Sequence, residues 1–257
     1  MLQIARKRYS LLLLAAAMFI LAGCLKESFS DGGMKGPGSG QGGSMARFTI
    51  ACDHLYVVDH NDLHVFSLAN PAQPTPVGTI EVGFGIETIF PFGQYLLIGS
   101  STGMFIYSLE NCASPTYVSE FAHVLACDPV VAEGNTAYVT LRSGGDCRIG
   151  LTANQLDIID ISNISNPTLI RSHPVPEPWG LGIDQGTLFL CHGDYGLGVY
   201  NVSNPHVLDT LHFFPDIKSY DVIPHNGILL VTGPGGIYQY DYSDLSNLVL
   251  LSTIIVP

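Results

Sequence analysis

The stretch Leu156-Asp-Ile-Ile-Asp-Ile161 decides the fold of this chain, because closely similar stretches occur at four other places. Each copy is an apolar, β-rich run that reaches a polar residue and then turns. The other copies are Leu63–Leu68, Met104–Leu109, Leu197–Val202 and Ile237–Tyr242. Their polar markers Ser67, Ser108, Asp160, Asn201 and Asp241 are spaced by 41, 52, 41 and 40 residues. A period near 40 residues predicts radial repeats, and hence a β-propeller.

Each repeat contains four strand-like runs. In the second repeat these are Glu87–Pro91, Tyr95–Gly99, Met104–Leu109 and Thr116–Phe121. The sequence therefore predicts an all-β, five-bladed propeller of four-stranded blades, with repeats at about 45–86, 87–127, 128–180, 181–220 and 221–257. Because the array starts with an inner strand and ends with an outer one, we expect whole blades, with side-chain packing between blades one and five. The alternative is an open array that dimerises through its ends.

The first 23 residues have the features of an export signal. Arg6, Lys7 and Arg8 precede an apolar run from Leu11 to Leu21, which is too short for a stable membrane span. The run ends in Leu-Ala-Gly-Cys24, which resembles the bacterial lipoprotein lipobox. That resemblance implies cleavage before Cys24 and a lipid on Cys24. The alternative is an ordinary secretory signal with a chance cysteine.

Residues 24–44 form a glycine-rich tether that precedes the propeller domain at 45–257. A flexible chain of this composition has a reach of roughly 25 Å. We therefore expect a membrane partner through the N-terminal lipid and a location in the cell envelope, at the outer membrane. Removal of the signal leaves seven basic and 22 acidic residues, a formal net charge of about −15. This charge argues against nucleic acid as a partner.

The repeats resemble the LVIVD family, which is named for its apolar strand ending in aspartate. The copy at Leu156–Ile161 is the closest, while Val65–Pro71 and Val199–Pro205 are looser. The lipobox, glycine tether and repeats together resemble exported LVIVD-repeat lipoproteins. The resemblance implies a β-propeller-like fold but no established activity or catalytic residues. Ser67 and Ser108 depart from the aspartate of the family pattern.

Three carboxylates lie at the predicted starts of inner strands: Glu87, Asp128 and Asp221. In a propeller these starts surround the axis, so we expect the three acids to converge on the mouth of the channel. Convergent acids suit a Ca²⁺ site or the acid and base pair of a glycoside hydrolase. They equally suit capping of backbone N–H groups at tight loops, which is the more common role.

Three further residues are predicted on the same face. Trp179 is the only tryptophan and lies on the proline-rich loop entering blade four, where it suits stacking on a sugar, anchoring of a partner or packing over a neighbouring blade. Arg142 and His192 follow second strands. Arg142 suits an anionic ligand or an internal ion pair with Asp128. An insertion of about eleven residues between Arg142 and Gln155 lengthens a loop on this face.

The remaining cysteines raise a pairing question. Cys127 and Cys147 are predicted on one face of blade three, so a disulfide between them is plausible, with two separate thiols as the alternative. By default we interpret Cys52, Cys112 and Cys191 as small buried hydrophobic residues. The Asp59–His64 stretch carries metal-ligand residue types but lacks a known metal spacing, so we interpret it as a turn.

No recognisable set of catalytic residues or phosphate-binding loop occurs in the sequence, and no cofactor is expected apart from the Ca²⁺ alternative. We expect a non-enzymatic propeller that binds a glycan or an envelope protein through the face carrying Glu87, Asp128, Asp221, Arg142, Trp179 and His192. The alternative is a carbohydrate-active hydrolase that uses the three acids.

Overall fold

The computed structural model describes residues 42–122, 129–143 and 154–256, which form β-strands joined by turns and loops. Blade one comprises β1 (Phe48–Ala51), β2 (His54–Val58), β3 (Asp62–Ser67) and β4 (Thr75–Glu81). Blade two comprises β5 (Ile86–Phe92), β6 (Tyr95–Ser100), β7 (Gly103–Ser108) and β8 (Thr116–Ala122). Blade three comprises β9 (Val130–Glu133), β10 (Thr136–Leu141), β11 (Gln155–Asp160) and β12 (Thr168–Pro174). Blade four comprises β13 (Leu181–Asp184), β14 (Thr187–Cys191), β15 (Leu197–Asn201) and β16 (Asp209–Phe214). Blade five comprises β17 (Asp221–His225), β18 (Ile228–Gly233), β19 (Gly236–Asp241) and β20 (Val249–Ile255).

Each blade is a separate antiparallel sheet in which the four strands pair in chain order. The predicted five-bladed β-propeller is therefore confirmed, and the strands predicted for the second repeat agree with the structure to within one residue at each end. Blades one and five are both whole, with no strand exchanged between them.

The repeated sequence pattern corresponds to a repeated irregularity in the sheets. In all five blades the pairing of the third and outer strands shifts by one residue shortly before the polar marker. In blade four, for example, the shift lies between Val199 and Tyr200, and the marker is Asn201. A bulge of this kind bends and twists the outer strand. The marker side chains Asp160, Asn201 and Asp241 each accept a hydrogen bond from the backbone N–H two residues later, which starts the turn after the strand.

Apolar side chains on alternating strand positions form the core between neighbouring blades. Four buried clusters fill the contacts between blades one and two, two and three, three and four, and four and five. In the contact between blades four and five, for example, Phe189 and Leu197 pack with Val222 and Val231. The blades are thus buried on both flanks, as expected for a chain with few charges and many apolar residues.

The seam between blades five and one is packed less tightly than the other contacts. On the flank of blade five that faces away from blade four, Leu230 and Ile237 are 37% and 36% exposed. Phe189 and Leu197 occupy the equivalent positions of blade four and are fully buried. Leu55 on blade one is also only partly buried. Among the described residues, no buried apolar cluster joins blades five and one.

A disulfide joins blades one and two. It links Cys52 in the β1–β2 turn to Cys112 in the loop after β7. The interpretation of Cys52 and Cys112 as lone buried hydrophobic residues is therefore wrong. The two cysteines are 60 residues apart in sequence, and only the packing of neighbouring blades brings them together. The Tyr56 hydroxyl reinforces the same junction by donating to the Cys112 carbonyl at 2.7 Å. Cys191 is buried with a free thiol, as predicted.

Polar bonds also connect later blades. In the contact between blades three and four, Glu133 accepts hydrogen bonds from the backbone N–H groups of Gln185 and Gly186 at 2.8 and 2.7 Å. Between blades four and five, the Tyr242 hydroxyl donates to Asp184 at 2.8 Å. In the part of the chain that the structure describes, no helix has the length and apolar character needed to cross a membrane.

Candidate functional site

The candidate site lies on one end of the propeller, which we call the entrance face because the inner strands start there. Asp221 is the first residue of β17 and Glu87 is the second residue of β5. Arg142 and His192 directly follow the second strands β10 and β14, which run antiparallel to the inner strands and so end at the same face. These four residues therefore lie at strand ends that belong to the entrance face. Asp128, Cys127 and Cys147 lie outside the described residues.

The Asp221 carboxylate holds the N-terminal segment of the domain. The Ser44 hydroxyl donates to Asp221 Oδ1 at 3.0 Å and accepts a hydrogen bond from the backbone N–H of Leu181 at 2.8 Å. Ser44 is fully buried. This one hydroxyl therefore connects blade five, blade four and the segment that leads into blade one.

The same segment continues across the entrance face to blade two. The Ala46 carbonyl accepts a hydrogen bond from the backbone N–H of Ile89 at 2.9 Å, and the Ala46 N–H donates to the Gly43 carbonyl at 3.0 Å. Gly43 and Ser44, which the composition assigns to the tether, are both buried. Residues 43–46 thus touch blades two, four and five, and they close the ring where side-chain packing is weakest.

Two glycines make room for this arrangement. A Cβ atom at Gly43 would collide with Asp221 Oδ2, and a Cβ atom at Gly180 would collide with Asp221 Oδ1. Both sides of the carboxylate are therefore in close contact with backbone. This geometry needs residues without side chains at both positions.

Burial raises the pKa of Asp221 from its ordinary value of 3.8 to about 6. Hydrogen bonds from the Ser44 hydroxyl and from the backbone N–H groups of Val222, Met45 and Ser44 act in the opposite direction, because they favour the charged carboxylate. The net shift means that desolvation of the carboxylate outweighs these bonds. Asp221 is thus a backbone-capping carboxylate, one of the roles considered for the three acids.

An aromatic and cationic stack lies beside this segment. The Arg142 guanidinium lies over the Trp179 ring, 3.3 Å from the ring centroid. On blade five, the Tyr220 ring centroid is 5.0 Å from that of Trp179, with the planes tilted by 47°. The stack therefore spans blades three, four and five. A guanidinium over an indole face is an attractive cation–π arrangement.

The backbone of Trp179 is fixed on both sides. Its N–H donates to the Cys191 carbonyl at 2.8 Å, and its carbonyl accepts from the Thr140 hydroxyl at 2.8 Å. Its indole Nε1 is buried without an acceptor and lies against Gly193. Gly193 has a φ of +57°, a conformation that favours glycine, and a side chain there would displace the indole. The stack is thus a preorganised part of the entrance face.

His192 is fully buried, and its ring packs inside blade four. Its Nδ1 donates to the Pro176 carbonyl at 2.5 Å, which leaves Nε2 to accept from the Tyr200 hydroxyl at 3.0 Å. Burial lowers the pKa of His192, so the imidazole is neutral at physiological pH. The contact with Pro176 fixes the loop that carries Trp179, so His192 positions this loop.

The long loop of blade three is closed at its base. The side-chain oxygen of Asn154 accepts hydrogen bonds from the Ser143 N–H at 2.6 Å and from the Ser143 hydroxyl at 2.9 Å. The loop therefore begins and ends at one point beside Arg142.

The Asp59–His64 stretch comprises the β2–β3 turn at residues 59–61 and the first three residues of β3, so the predicted turn is present at its start. Asp59 accepts hydrogen bonds from the N–H groups of Asn61 and Asp62 at 3.3 and 3.1 Å. Oxygen and nitrogen atoms of Asp59, Asp62 and His64 lie within 4.8 Å of one another, close enough for an ion. Asp59 is exposed, however, while Asp62 and His64 are partly buried, and Asp59 already bonds His64 Nε2 at 2.8 Å. This bond and the two backbone bonds lower the pKa of Asp59.

Two residues of the entrance face were not found from sequence. Ser44 is 177 residues from Asp221 in the chain and lies in a glycine-rich stretch with no local signal. Tyr220 directly precedes Asp221, and only the position of Trp179 in space shows its role. The inner-strand start at Asp221 was the signal that could have drawn attention to Tyr220.

Comparison with known proteins agrees with the repeat pattern. The family model described as LVIVD repeat matches residues 42–82 and 126–174, which correspond to blades one and three. The chain carries LVIVD repeats. The three remaining blades have the same strand order and the same bulge position. No curated protein matches this LVIVD-repeat chain.

Solved structures share the fold at low sequence identity. The periplasmic gluconolactonase of Pseudomonas aeruginosa is 14% identical, with a TM-score of 0.59, and the match covers 79% of this chain and 68% of that one. A protein from Lactobacillus plantarum is 15% identical, with a TM-score of 0.63 and coverages of 80% and 69%. A protein of unknown function from Desulfotomaculum acetoxidans is 13% identical, with a TM-score of 0.61 and coverages of 80% and 67%. At these identities the likeness concerns the fold alone.

Proposed function

We propose that this LVIVD-repeat chain is a lipid-anchored envelope protein whose propeller binds a partner without catalysing a reaction. The partner chemistry that suits the entrance face is a glycan or a peptide of an envelope protein. The observation that carries the proposal is the engagement of Asp221: its buried carboxylate accepts hydrogen bonds from the Ser44 hydroxyl and from backbone N–H groups.

The binding element is the Arg142–Trp179–Tyr220 stack. The partly exposed rims of the Trp179 and Tyr220 rings suit contact with a sugar or an apolar side chain, and the guanidinium suits an anionic group on the same ligand. The stack is held by three blades, so its geometry does not have to form on binding. Preorganisation of this kind reduces the entropic cost of binding.

The proposed location in the cell envelope rests on the sequence and on one structural feature. The signal and Cys24 support export and lipidation. The Cys52–Cys112 disulfide fits an oxidising compartment outside the cytoplasm. The net charge of about −15 favours tethering by a lipid over electrostatic docking on anionic lipid.

Trp179 provides the direct test of binding because it is the only tryptophan of the chain. Its fluorescence is titrated with envelope polysaccharides, their fragments and peptides. A saturable change is expected, weakened at least fivefold by Arg142→Ala, which removes the guanidinium from the ring. Arg171→Ala on the outer strand β12 is the matched control and leaves the titration unchanged. Equal affinity in both variants would contradict the assigned face.

The hydrolase alternative stays a prediction and has its own test. A digestion screen on polysaccharides compares wild type with Asp221→Asn, which retains the shape of the side chain. The proposal expects no product in either sample. Product that forms with wild type and is lost in the variant would replace the binding function with catalysis.

Anchoring is tested in cells. Wild type is expected in the membrane fraction and labelled by radioactive fatty acid, whereas Cys24→Ala is expected without label and outside the membrane fraction. An unlabelled wild-type chain would rule out the lipid anchor while leaving the binding test intact.

A further inference from the structure

The outer strand of blade five is apolar and exposed along its whole length. Six of the eight residues from Val249 to Val256 are Val, Leu or Ile, and no charged residue occurs from Leu245 to the end of the sequence. Every residue of β20 is exposed. Ile254 and Ile255 are 62% and 78% exposed, and the aliphatic residues before them are each about half exposed.

The other four outer strands are protected in the usual ways. Their charged residues are Glu81 in β4, Glu120 in β8, Arg171 in β12 and Asp209 in β16. Exposed strand edges in soluble proteins carry charges or prolines because an unprotected edge pairs with other strands. The bulge of the outer strand occurs in all five blades, so it does not explain the difference. Only β20 lacks this protection.

The chemistry of a strand edge selects the kind of partner. A β20 edge presents unpaired backbone N–H and C=O groups as well as aliphatic side chains. The hydrocarbon of a bilayer would cover the side chains but leave these backbone groups without partners, at a cost of several kcal/mol each. A second strand satisfies both the side chains and the backbone. The occupant is therefore a strand and not a membrane.

We infer that β20 pairs antiparallel with β20 of a second copy of this chain, so that two propellers associate through blade five. An antiparallel pair of identical strands has two-fold symmetry, so each copy uses the same surface. Such a pair sets the aliphatic residues of one β20 against those of the other. Apolar pairs opposite each other stabilise a sheet.

The surface is large enough for such a dimer. From Val249 to Val256 the apolar residues expose on the order of 650 Å², against the roughly 800 Å² that each partner contributes to a standard interface. The strand is uncharged, so no like charges of β20 oppose one another in the pair. We expect a dissociation constant in the micromolar range or tighter.

Analytical ultracentrifugation of the exported chain with Cys24→Ser, which prevents lipidation, tests the association across a concentration series. A dimer is expected, and Ile255→Glu is expected to shift it to monomer by weakening association at least tenfold. Glu81 occupies the equivalent place on the outer strand of blade one, so a glutamate at this position is compatible with the folded blade. A monomeric parent chain, or a dimer that Ile255→Glu leaves unchanged, would overturn the proposal.

Cysteine cross-linking tests the pairing itself. Single cysteines replace Ser252 and Thr253, on opposite sides of the strand, and the controls replace Gly78 and Thr79 at the equivalent places of β4. Under mild oxidation a disulfide-linked dimer is expected from at least one β20 variant and from neither control. Equal cross-linking of the two strands, or none on β20, would refute the pairing. Circular dichroism confirms that each variant is folded.

Discussion

Replacing Ser44 by alanine tests how the ring is closed. The variant removes the hydroxyl that donates to Asp221 at 3.0 Å and accepts from the Leu181 N–H at 2.8 Å. A hydrogen bond to a charged group contributes about 1.5–3 kcal/mol, and a buried N–H left without an acceptor costs about 1–3 kcal/mol. Asp221 keeps its backbone donors, so we expect a loss of about 3 kcal/mol in the free energy of unfolding.

The assay is urea unfolding at pH 7, followed by Trp179 fluorescence and by circular dichroism. Ser114→Ala is the control, because Ser114 is an exposed turn residue of blade two and its loss is expected to cost less than about 0.5 kcal/mol. If Ser44→Ala and Ser114→Ala unfold at the same urea concentration, the N-terminal segment does not close the ring.

Three further predictions follow from named contacts. Replacing both Cys52 and Cys112 by alanine is expected to lower the free energy of unfolding by about 4 kcal/mol, because their disulfide closes a long loop. Wild type in reductant should unfold at the same urea concentration as the variant. A midpoint that neither the substitution nor the reductant changes would contradict the role of the disulfide. Burial raises the pKa of Asp221 to about 6, so its proton stabilises the fold fully below pH 4 and this stabilisation is lost as the pH rises through 6. The stability of wild type relative to Asp221→Asn should therefore fall by about 3 kcal/mol between pH 4 and pH 7, whereas a pH-independent difference would show an unshifted carboxyl. Finally, Arg142→Ala should make Trp179 more accessible to acrylamide quenching, because the guanidinium covers the ring; unchanged quenching would argue against the stack in solution.

The repeat architecture could be predicted from sequence because each blade has the same short local pattern, which occurs five times. The marker at Asp160 and its counterparts fix both the period and the position of the third strand. The inner-strand start at Asp221 and the position of Arg142 follow from that period by counting. A strand boundary that is unclear in one repeat can be set by comparison with the other four. The strands predicted for the second repeat agree with those of the structure to within one residue at each end.

The contacts between blades could not be predicted in the same way. Cys52 and Cys112 meet because neighbouring blades bring their loops together, and nothing in the spacing distinguishes this pair from the other cysteines. Ser44 lies in a stretch whose glycines indicate a flexible tether, yet Gly43 is required by the close approach of Asp221. A glycine needed for flexibility and a glycine needed for close packing look alike in a single sequence.

The strand ends that carry the candidate residues follow from the repeat, but the contacts of their side chains do not. Asp221 lies at the entrance face as expected, but it binds the chain itself. His192 was placed on the same face, and its ring is turned inward to Pro176 and Tyr200. The direction of a side chain at the end of a strand depends on its neighbours in space, which the period of the repeat does not specify.

The central claim is that the Asp221 carboxylate and the Ser44 hydroxyl join the two ends of the propeller. A double-mutant cycle with Ser44→Ala and Asp221→Asn measures this link directly in the free energy of unfolding at pH 7. The account predicts a coupling energy of at least about 1 kcal/mol, with the second substitution costing less once the first is made. Additive effects of the two substitutions would contradict it.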